Sequence, residues 1–303
     1  MDHSHCYVDR ESKKRLIEPV YCEKTMNAIY GSKIGRWLAD IVSSYAVFSR
    51  FYGWIQRLPV TRKKIVPFVR RYDVNAQECT KELSAYRSFD DFFTRKLRPE
   101  SRPIAQEDNV AVAPADGRYL IYKNVSEFGE FVVKSKRFSL EKLLGRKEKL
   151  VKRYAQGAMV IIRLAPFDYH RFHFPFDCVP SQSQLISGKL HSVHPLAMRD
   201  YFVHFCENKR MLTVLNSKLF GEVLCLEIGA MNVGSIHNTF VPGKMYRKGD
   251  EKGFFSFGGS SIILLFQPGT IIFDEDLASN SRMGLETFCK MGQSLGFYQK
   301  CDF

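Results

Sequence analysis

The apolar positions of the chain change period about one third of the way along. Ile34, Leu38, Ile41, Tyr45, Phe48, Tyr52 and Ile55 follow one another at three- and four-residue spacing, with Trp37, Phe51 and Trp54 beside them. That spacing is the stripe of an amphipathic helix. Helical patterning covers roughly residues 25–95 and stops in "SFDDFFTRKLRPESRPI", where Pro99 and Pro103 cannot continue a helix. From about residue 105 the pattern turns to short apolar and alternating runs separated by turn residues: "GRYLIYKNV", "EFVVKS", "AMVIIRLA", "GKLHSVH", "RMLTVLNS", "GEVLCLEIGAMNVGSI" and "SSIILLF". These read as strands. "SLEKLLG" predicts a brief helix closing at Gly145, and "LETFCKMGQSLG" predicts another near the C-terminus. Residues 1–24 carry no strong period and read as a loose or partly ordered lead-in. The expectation is an α+β protein, with a helical N-terminal subdomain over residues 1–100 on a β-rich domain over 101–303.

Composition bounds what such a chain does. Its 303 residues are 45% hydrophobic and 14% aromatic, enough for a large core in one or two domains. The eight cysteines form no CxxC pair, and no N-terminal signal sequence precedes them. They read as reduced thiols of a cytosolic protein, not as a disulfide framework or a zinc site, and no metal is expected. The formal charge of +13 calls for an anionic partner, nucleic acid or anionic lipid. Lys33, Arg36, Arg50 and Arg57 flank the aromatic helical stripe, and Arg62-Lys63-Lys64 and Arg70-Arg71 follow it. Asp40 and interspersed polar residues interrupt it too often for a bilayer span. A basic, aromatic, amphipathic helix suits a membrane surface. No zinc finger or RNA-binding signature supports nucleic acid.

Three stretches of the β-rich part concentrate chemistry. "APADGR" places Asp116 before Gly117, a pairing that also makes an ordinary turn. "LAPFDYHRFHFPFD" sets His170 and His173 three residues apart among Phe167, Tyr169, Phe172, Phe174 and Phe176. Desolvation in such a setting disfavours the imidazolium and keeps a general base neutral near pH 7. Metal ligation ranks lower, because no acidic or cysteine partner stands at ligand spacing. "FGGSSIILLF" puts two glycines and two serines at the entrance of a buried strand. The G-x-S-x-G elbow of a conventional serine hydrolase is missing.

Taken in order, "PADG" (114–117), "APFDYHRFHFP" (165–175) and "KGDEKGFFSFGGSS" (248–261) closely resemble the phosphatidylserine decarboxylases, pyruvoyl-dependent enzymes that make phosphatidylethanolamine. "FFTRKLRPESRPI" (92–104), "GKLHSVHPLA" (188–197), "NKR" (208–210) and "IGAMNVGSI" (228–236) extend the likeness over about residues 90–270. The resemblance implies that the chain cuts itself between Gly259 and Ser260, leaving a β chain of residues 1–259 and an α chain of residues 260–303 that stay associated. Ser260 would become the pyruvoyl cofactor. Asp116 and His173 would form the cleavage triad with Ser260, the carboxylate orienting the imidazole and the imidazole taking the serine proton. His170 would serve decarboxylation, with substrate held as a Schiff base on the pyruvoyl carbonyl. Most bacterial members read Leu-Gly-Ser-Thr where this chain has Gly258-Gly259-Ser260-Ser261, which opens the register between Ser260 and Ser261. Glycine before the nucleophile favours Ser260.

The implied substrate is phosphatidylserine and the implied partner an anionic membrane surface, the chain lying peripherally on the cytoplasmic face of the cell membrane with the 34–64 segment as its dock. Two other readings share some of these features. A pyruvoyl decarboxylase of a soluble amino-acid derivative needs the Gly-Ser pair but not the amphipathic segment. A non-catalytic lipid-binding protein needs the segment but never cuts at Ser260.

Overall fold

The computed structural model of the chain describes residues 6–19, 53–128, 139–188, 206–229, 236–256 and 260–299. The stripe at Trp37, Phe48 and Tyr52, the run "EFVVKS", most of "GKLHSVH", and Gly259 lie outside the described residues. The strands are β1 (Cys6–Asp9), β2 (Arg15–Ile17), β3 (Val110–Val112), β4 (Gly117–Tyr122), β5 (Ala158–Leu164), β6 (Arg171–His173), β7 (Val179–Pro180) and β8 (Gln184–Ile186). After them come β9 (Arg210–Ser217), β10 (Gly221–Gly229), β11 (Ile236–Asn238), β12 (Glu251–Phe255), β13 (Ser260–Phe266), β14 (Ile271–Phe273), β15 (Glu286–Cys289) and β16 (Ser294–Tyr298).

One large sheet runs in the order β2-β1-β15-β4-β5-β13-β10-β9-β7, with β8 also on β9. At its centre lie β5, "AMVIIRL", and β13, "SSIILLF", every residue of which is buried. Continuous apolar, largely branched runs of this kind need cover on both faces. On one face Ile162, Leu164, Ile262, Leu264 and Phe266 pack with Phe172, Phe174, Phe255, Phe273 and Leu295. Those partners come from two three-stranded sheets, β11-β12-β6 and β14-β16-β3, and from the segment that follows β6. On the other face Ile161, Ile263 and Leu265 meet Leu143, Leu144 and Tyr154 from the helices Leu140–Leu143 and Glu148–Tyr154 and the turn between them. The architecture is α+β and strand-rich.

The N-terminal part contributes a third, aromatic cluster. Ile65 and Phe68, on the helix Ile65–Arg71, join Tyr86 and the helix Phe89–Phe93. Phe167 packs against this cluster, with its ring stacked on Tyr72 at 5.4 Å. It thereby links the helical part to the segment carrying both histidines.

Two segments differ from their sequence patterns. Residues 6–17, in which the sequence shows no strong period, add β1 and β2 to the sheet through parallel pairing of Tyr7 and Val8 with Glu286 and Thr287. Arg10 anchors the turn on Asp274 at 2.6 Å and Asp276 at 2.9 Å. The partner strand is far along the chain, so no local period announces it. "LETFCKMGQSLG" forms β15, a turn and β16 instead of a helix, and the helix lies just upstream at Glu275–Arg282. Thr287 and Cys289 are buried at alternate positions, a period of two that four residues are too short to separate from a helical face.

Candidate active site

The three chemical motifs meet at one end of the large sheet. Antiparallel pairing sets the start of β4 and the start of β13 on either side of the end of β5: Arg118 faces Arg163, and Ser260 faces Leu164. Gly117 makes the close approach possible, since a Cβ there would lie 2.8 Å from the Arg163 carbonyl oxygen. Beyond Leu164 the chain turns through Ala165–His170 into β6, which pairs with β12. The His173 amide donates to the Pro114 carbonyl at 2.8 Å, and the Phe255 amide to the His170 carbonyl at 2.9 Å. These bonds tie the "DYHRFH" segment to "PADG" on one side and to the strand leading towards Ser260 on the other.

Ser260 is fully buried and, among the described residues, its Oγ has no hydrogen-bond partner. Along β13 it shares a face with Ile262 and Leu264, the face covered by Phe172 and Phe255 of the small sheet that contains β6. Ser261 is equally buried and unpartnered, but it points with Ile263 and Leu265 to the helix-covered side.

His170 is fully buried. Its Nδ1 lies 3.0 Å from the Asp168 carbonyl. A carbonyl only accepts, so Nδ1 carries the proton and Nε2 is left as a lone pair, which has no partner. Phe93 lies against the ring at a centroid distance of 3.9 Å. Burial pushes the imidazole pKa down to about 3, opposed by the Asp168 carbonyl and reinforced by the Arg95 charge.

His173 is built differently. Its Nδ1 donates to the Gly249 carbonyl at 2.8 Å, and its Nε2 accepts from the Tyr169 hydroxyl at 3.2 Å. Gly249 has a φ of +87°, in the left-handed region, and this backbone turn presents the carbonyl. Burial lowers the His173 pKa, while the charges of Glu251 and Asp116 act the other way. Burial raises the Tyr169 pKa, so the phenol keeps its proton.

The expected hydrogen bond from the His173 ring to the Asp116 carboxylate is not made. The Asp116 carboxylate instead accepts from Arg102 Nε at 2.9 Å, from Arg102 Nη2 at 2.6 Å and from the Met291 amide at 2.8 Å. Its influence on His173 is through charge alone. The orienting group of His173 is a backbone carbonyl, and neither histidine is hydrogen-bonded to Ser260 Oγ.

Sequence reasoning had not singled out Arg95, Arg102, Gly249 or Phe93, and had counted Tyr169 only as part of the aromatic setting. One signal was available. Phe93, Arg95 and Arg102 all lie in "FFTRKLRPESRPI", and arginines in a segment rich in aromatics and prolines are candidates for buried hydrogen-bonding roles. For a metal, the described residues offer no cluster of three or more His, Cys, Asp or Glu side chains.

Ser260 thus heads a buried strand at the end of the sheet to which the segment carrying His170 and His173 is tied. A sequence model of the phosphatidylserine decarboxylase family matches residues 89–297. The chain belongs to that family. It is 58% identical to the phosphatidylserine decarboxylase proenzyme of Chlamydia pneumoniae over 294 residues, covering 97% of each chain. It is 59% identical to the protein of that name from Chlamydia felis over 290 residues, which is 96% of this chain and 97% of the relative. With the one from Chlamydia trachomatis serovar L2 it shares 50% identity over 290 residues, or 96% of each.

Proposed function

We infer that the chain is a proenzyme that decarboxylates phosphatidylserine to phosphatidylethanolamine after cutting itself between Gly259 and Ser260. The observation that carries this reading is Ser260 Oγ, buried and unpartnered at the head of the central strand, in a member of this family. A buried hydroxyl without a partner costs stability, and such groups persist where they have chemistry to do.

In the cut, Ser260 Oγ adds to the Gly259 carbonyl carbon, the C–N bond between the two residues breaks, and the serine proton ends on the freed amine. Loss of the Ser260 α-proton then expels the Gly259 carboxylate from Cβ. Water hydrolyses the remaining enamine, as its imine tautomer, to a ketone with release of ammonia. His173 is the base for the serine proton: it is neutral, its Nδ1 is fixed by Gly249, and the charges of Asp116 and Glu251 favour the imidazolium it becomes. Ser260 is favoured over Ser261 because it shares a face with the small sheet that holds β6.

Ser260 fits the resulting pyruvoyl group, since β13 fixes its backbone between β5 and β10. That ketone, conjugated with its amide, supplies the sink for the electron pair left by departing CO₂. His170 moves the protons of turnover. Its bare Nε2 is kept neutral by burial and, being a strong acid once charged, gives a proton to the α-carbon.

The substrate resides in a bilayer, and the chain meets it peripherally. Among the described residues no helix is long and apolar enough to cross a membrane. The helical turns over 53–71 bury Thr61, Ile65 and Phe68 and expose Trp54, Val60 and Val66. Arg57, Arg62, Lys63, Lys64, Arg70 and Arg71 are exposed on the same turns. Apolar side chains ringed by cations suit the cytoplasmic face of an anionic membrane.

The test is an intact-mass spectrum beside CO₂ release from phosphatidylserine in mixed micelles. Expected are fragments 1–259 and 260–303, the second with a carbonyl in place of its amine, and activity without added pyridoxal phosphate or metal. A single chain with an unmodified Ser260 after long incubation overturns the reading. Sedimentation with phosphatidylserine vesicles, weakened by salt and by Trp54→Ser with Val60→Ser, tests the membrane face.

A further inference from the structure

His170 is held from behind by a residue outside its own segment. Arg95 Nη2 donates to the Phe167 carbonyl at 2.9 Å and to the Asp168 carbonyl at 3.1 Å. The second of these oxygens also accepts the Nδ1 proton of His170. A carbonyl has two lone pairs, so one oxygen serves both donors. Because guanidinium and imidazole share it, Arg95 lies on the Nδ1 side of the ring, away from the bare Nε2. The frame is continued by the neighbours of Arg95 in sequence. Phe92 lies under the guanidinium at 4.9 Å, and Phe93 lies against the imidazole.

Arg95 lacks the usual company of a buried cation. It is 5% exposed and its Nη1 has no partner. The carboxylates around it are directed elsewhere: Glu78 and Asp116 contact Arg102, and Asp168 contacts Arg118 and the Ala165 amide. Burying a guanidinium without a carboxylate is costly, and hydrophobic residues fill such space more cheaply. Arg95 therefore sits where it is for something other than stability.

We propose that Arg95 is the positioning residue for His170, fixing the carbonyl corner at 167–168 so that the ring is protonated at Nδ1 and presents Nε2 as a lone pair to the substrate. This rests on the reading of His170 as the proton carrier of decarboxylation. Losing the corner frees the ring to adopt the other tautomer, and losing the cation makes the imidazolium easier to form. The charge facing His170 across this corner is Arg95 itself, since the Asp168 carboxylate is turned to Arg118.

The experiment uses the purified full chain with Arg95→Met, Arg95→Lys, His170→Ala and the double variant Arg95→Met/His170→Ala. Cleavage is followed by mass, and kcat and KM on phosphatidylserine micelles are followed across pH. His170→Ala is expected to be cut and to turn over on the order of 10² to 10⁴ times more slowly. Arg95→Met is expected to be cut, to lose on the order of 10- to 100-fold in kcat with KM within about twofold, and to have its acid limb displaced to higher pH. The double variant should be no slower than His170→Ala alone, because Arg95 acts through the ring. Should Arg95→Met not fold, Arg95→Lys carries the test: the charge stays, but the shorter side chain does not bring it to the place of Nη2 and the two carbonyl bonds made there are lost, so kcat falls while the acid limb stays put. A loss that multiplies in the His170→Ala background overturns the proposal, as does a rise in KM alone, an unchanged kcat or a block in cleavage. Full turnover by His170→Ala would instead remove the reading beneath it.

Discussion

Asp116 and Ser260 stand at the same end of the large sheet, flanking the end of β5, and they are built in opposite ways. The Asp116 carboxylate is saturated, with Arg102 on both oxygens and the Met291 amide on one. Ser260 Oγ, equally buried, is bare. The histidines repeat the contrast, His173 with both nitrogens engaged and His170 with Nε2 free. A saturated buried group has its contribution in the resting fold, whereas an unsatisfied one is an unspent capacity for bonding. In this centre the bare Ser260 Oγ and His170 Nε2 are assigned to act on carbon and on substrate protons, the saturated Asp116 holds position and sets charge, and His173 has to release its Tyr169 bond before it can take the serine proton.

The comparison is broken most directly at its bare end. Ser260→Ala removes one oxygen from a site where it makes no hydrogen bond, so the fold should be untouched and self-cleavage abolished. The check is a gel time course beside a thermal melt. A variant that still cuts, one bond further on between residues 260 and 261, would transfer the chemistry to Ser261, whose hydroxyl faces the opposite side of the sheet.

At the saturated end the effect should appear as stability. Among the described residues, Asp116→Asn leaves Arg102 with Glu78, at 2.9 Å, as its charged partner in a buried place. Breaking one member of such a group costs about 3 kcal/mol, and the melt and denaturant midpoint should show it. Cleavage should also slow, since one of the charges favouring the His173 imidazolium is gone. If cleavage stops while the midpoint does not move, Asp116 belongs with the bare groups and the contrast fails.

How far the sequence reaches follows the same division. "AMVIIRL" and "SSIILLF" announced the central strands because an unbroken apolar run requires burial on both faces, and the motifs brought Asp116, His170, His173 and Ser260 to one end of the sheet. The supporting contacts were not legible. Nothing local in "YVDRESKKRLI" says that Tyr7 will pair with Glu286, and nothing in "RPESRP" says that Arg102 will take both oxygens of Asp116. Those facts depend on which surfaces meet after the chain has closed on itself. The choice of a Gly249 carbonyl over a carboxylate for His173 is a matter of one backbone turn, and residue types do not encode it at that resolution.

The smallest expected effect lies between the two ends, at Tyr169. Its hydroxyl occupies the lone pair of His173 Nε2, and that is the nitrogen which has to take the serine proton. While the phenol is there, Ser260 competes with it. One neutral hydrogen bond is worth about 1 kcal/mol net, so releasing Nε2 changes the population of the competent base by a factor of about 5. Tyr169→Phe keeps the ring that lies beside His173 at 5.8 Å and removes only the competing donor. It should therefore speed cleavage by up to about fivefold, with little change in decarboxylation by the cut protein, because His170 is not bonded to the phenol. Mass-resolved cleavage rates of the two proteins over the same time course measure it. Slower cleavage would mean that the phenol passes the proton from Ser260 to Nε2 instead of blocking it, and Tyr169 would then join the reacting groups.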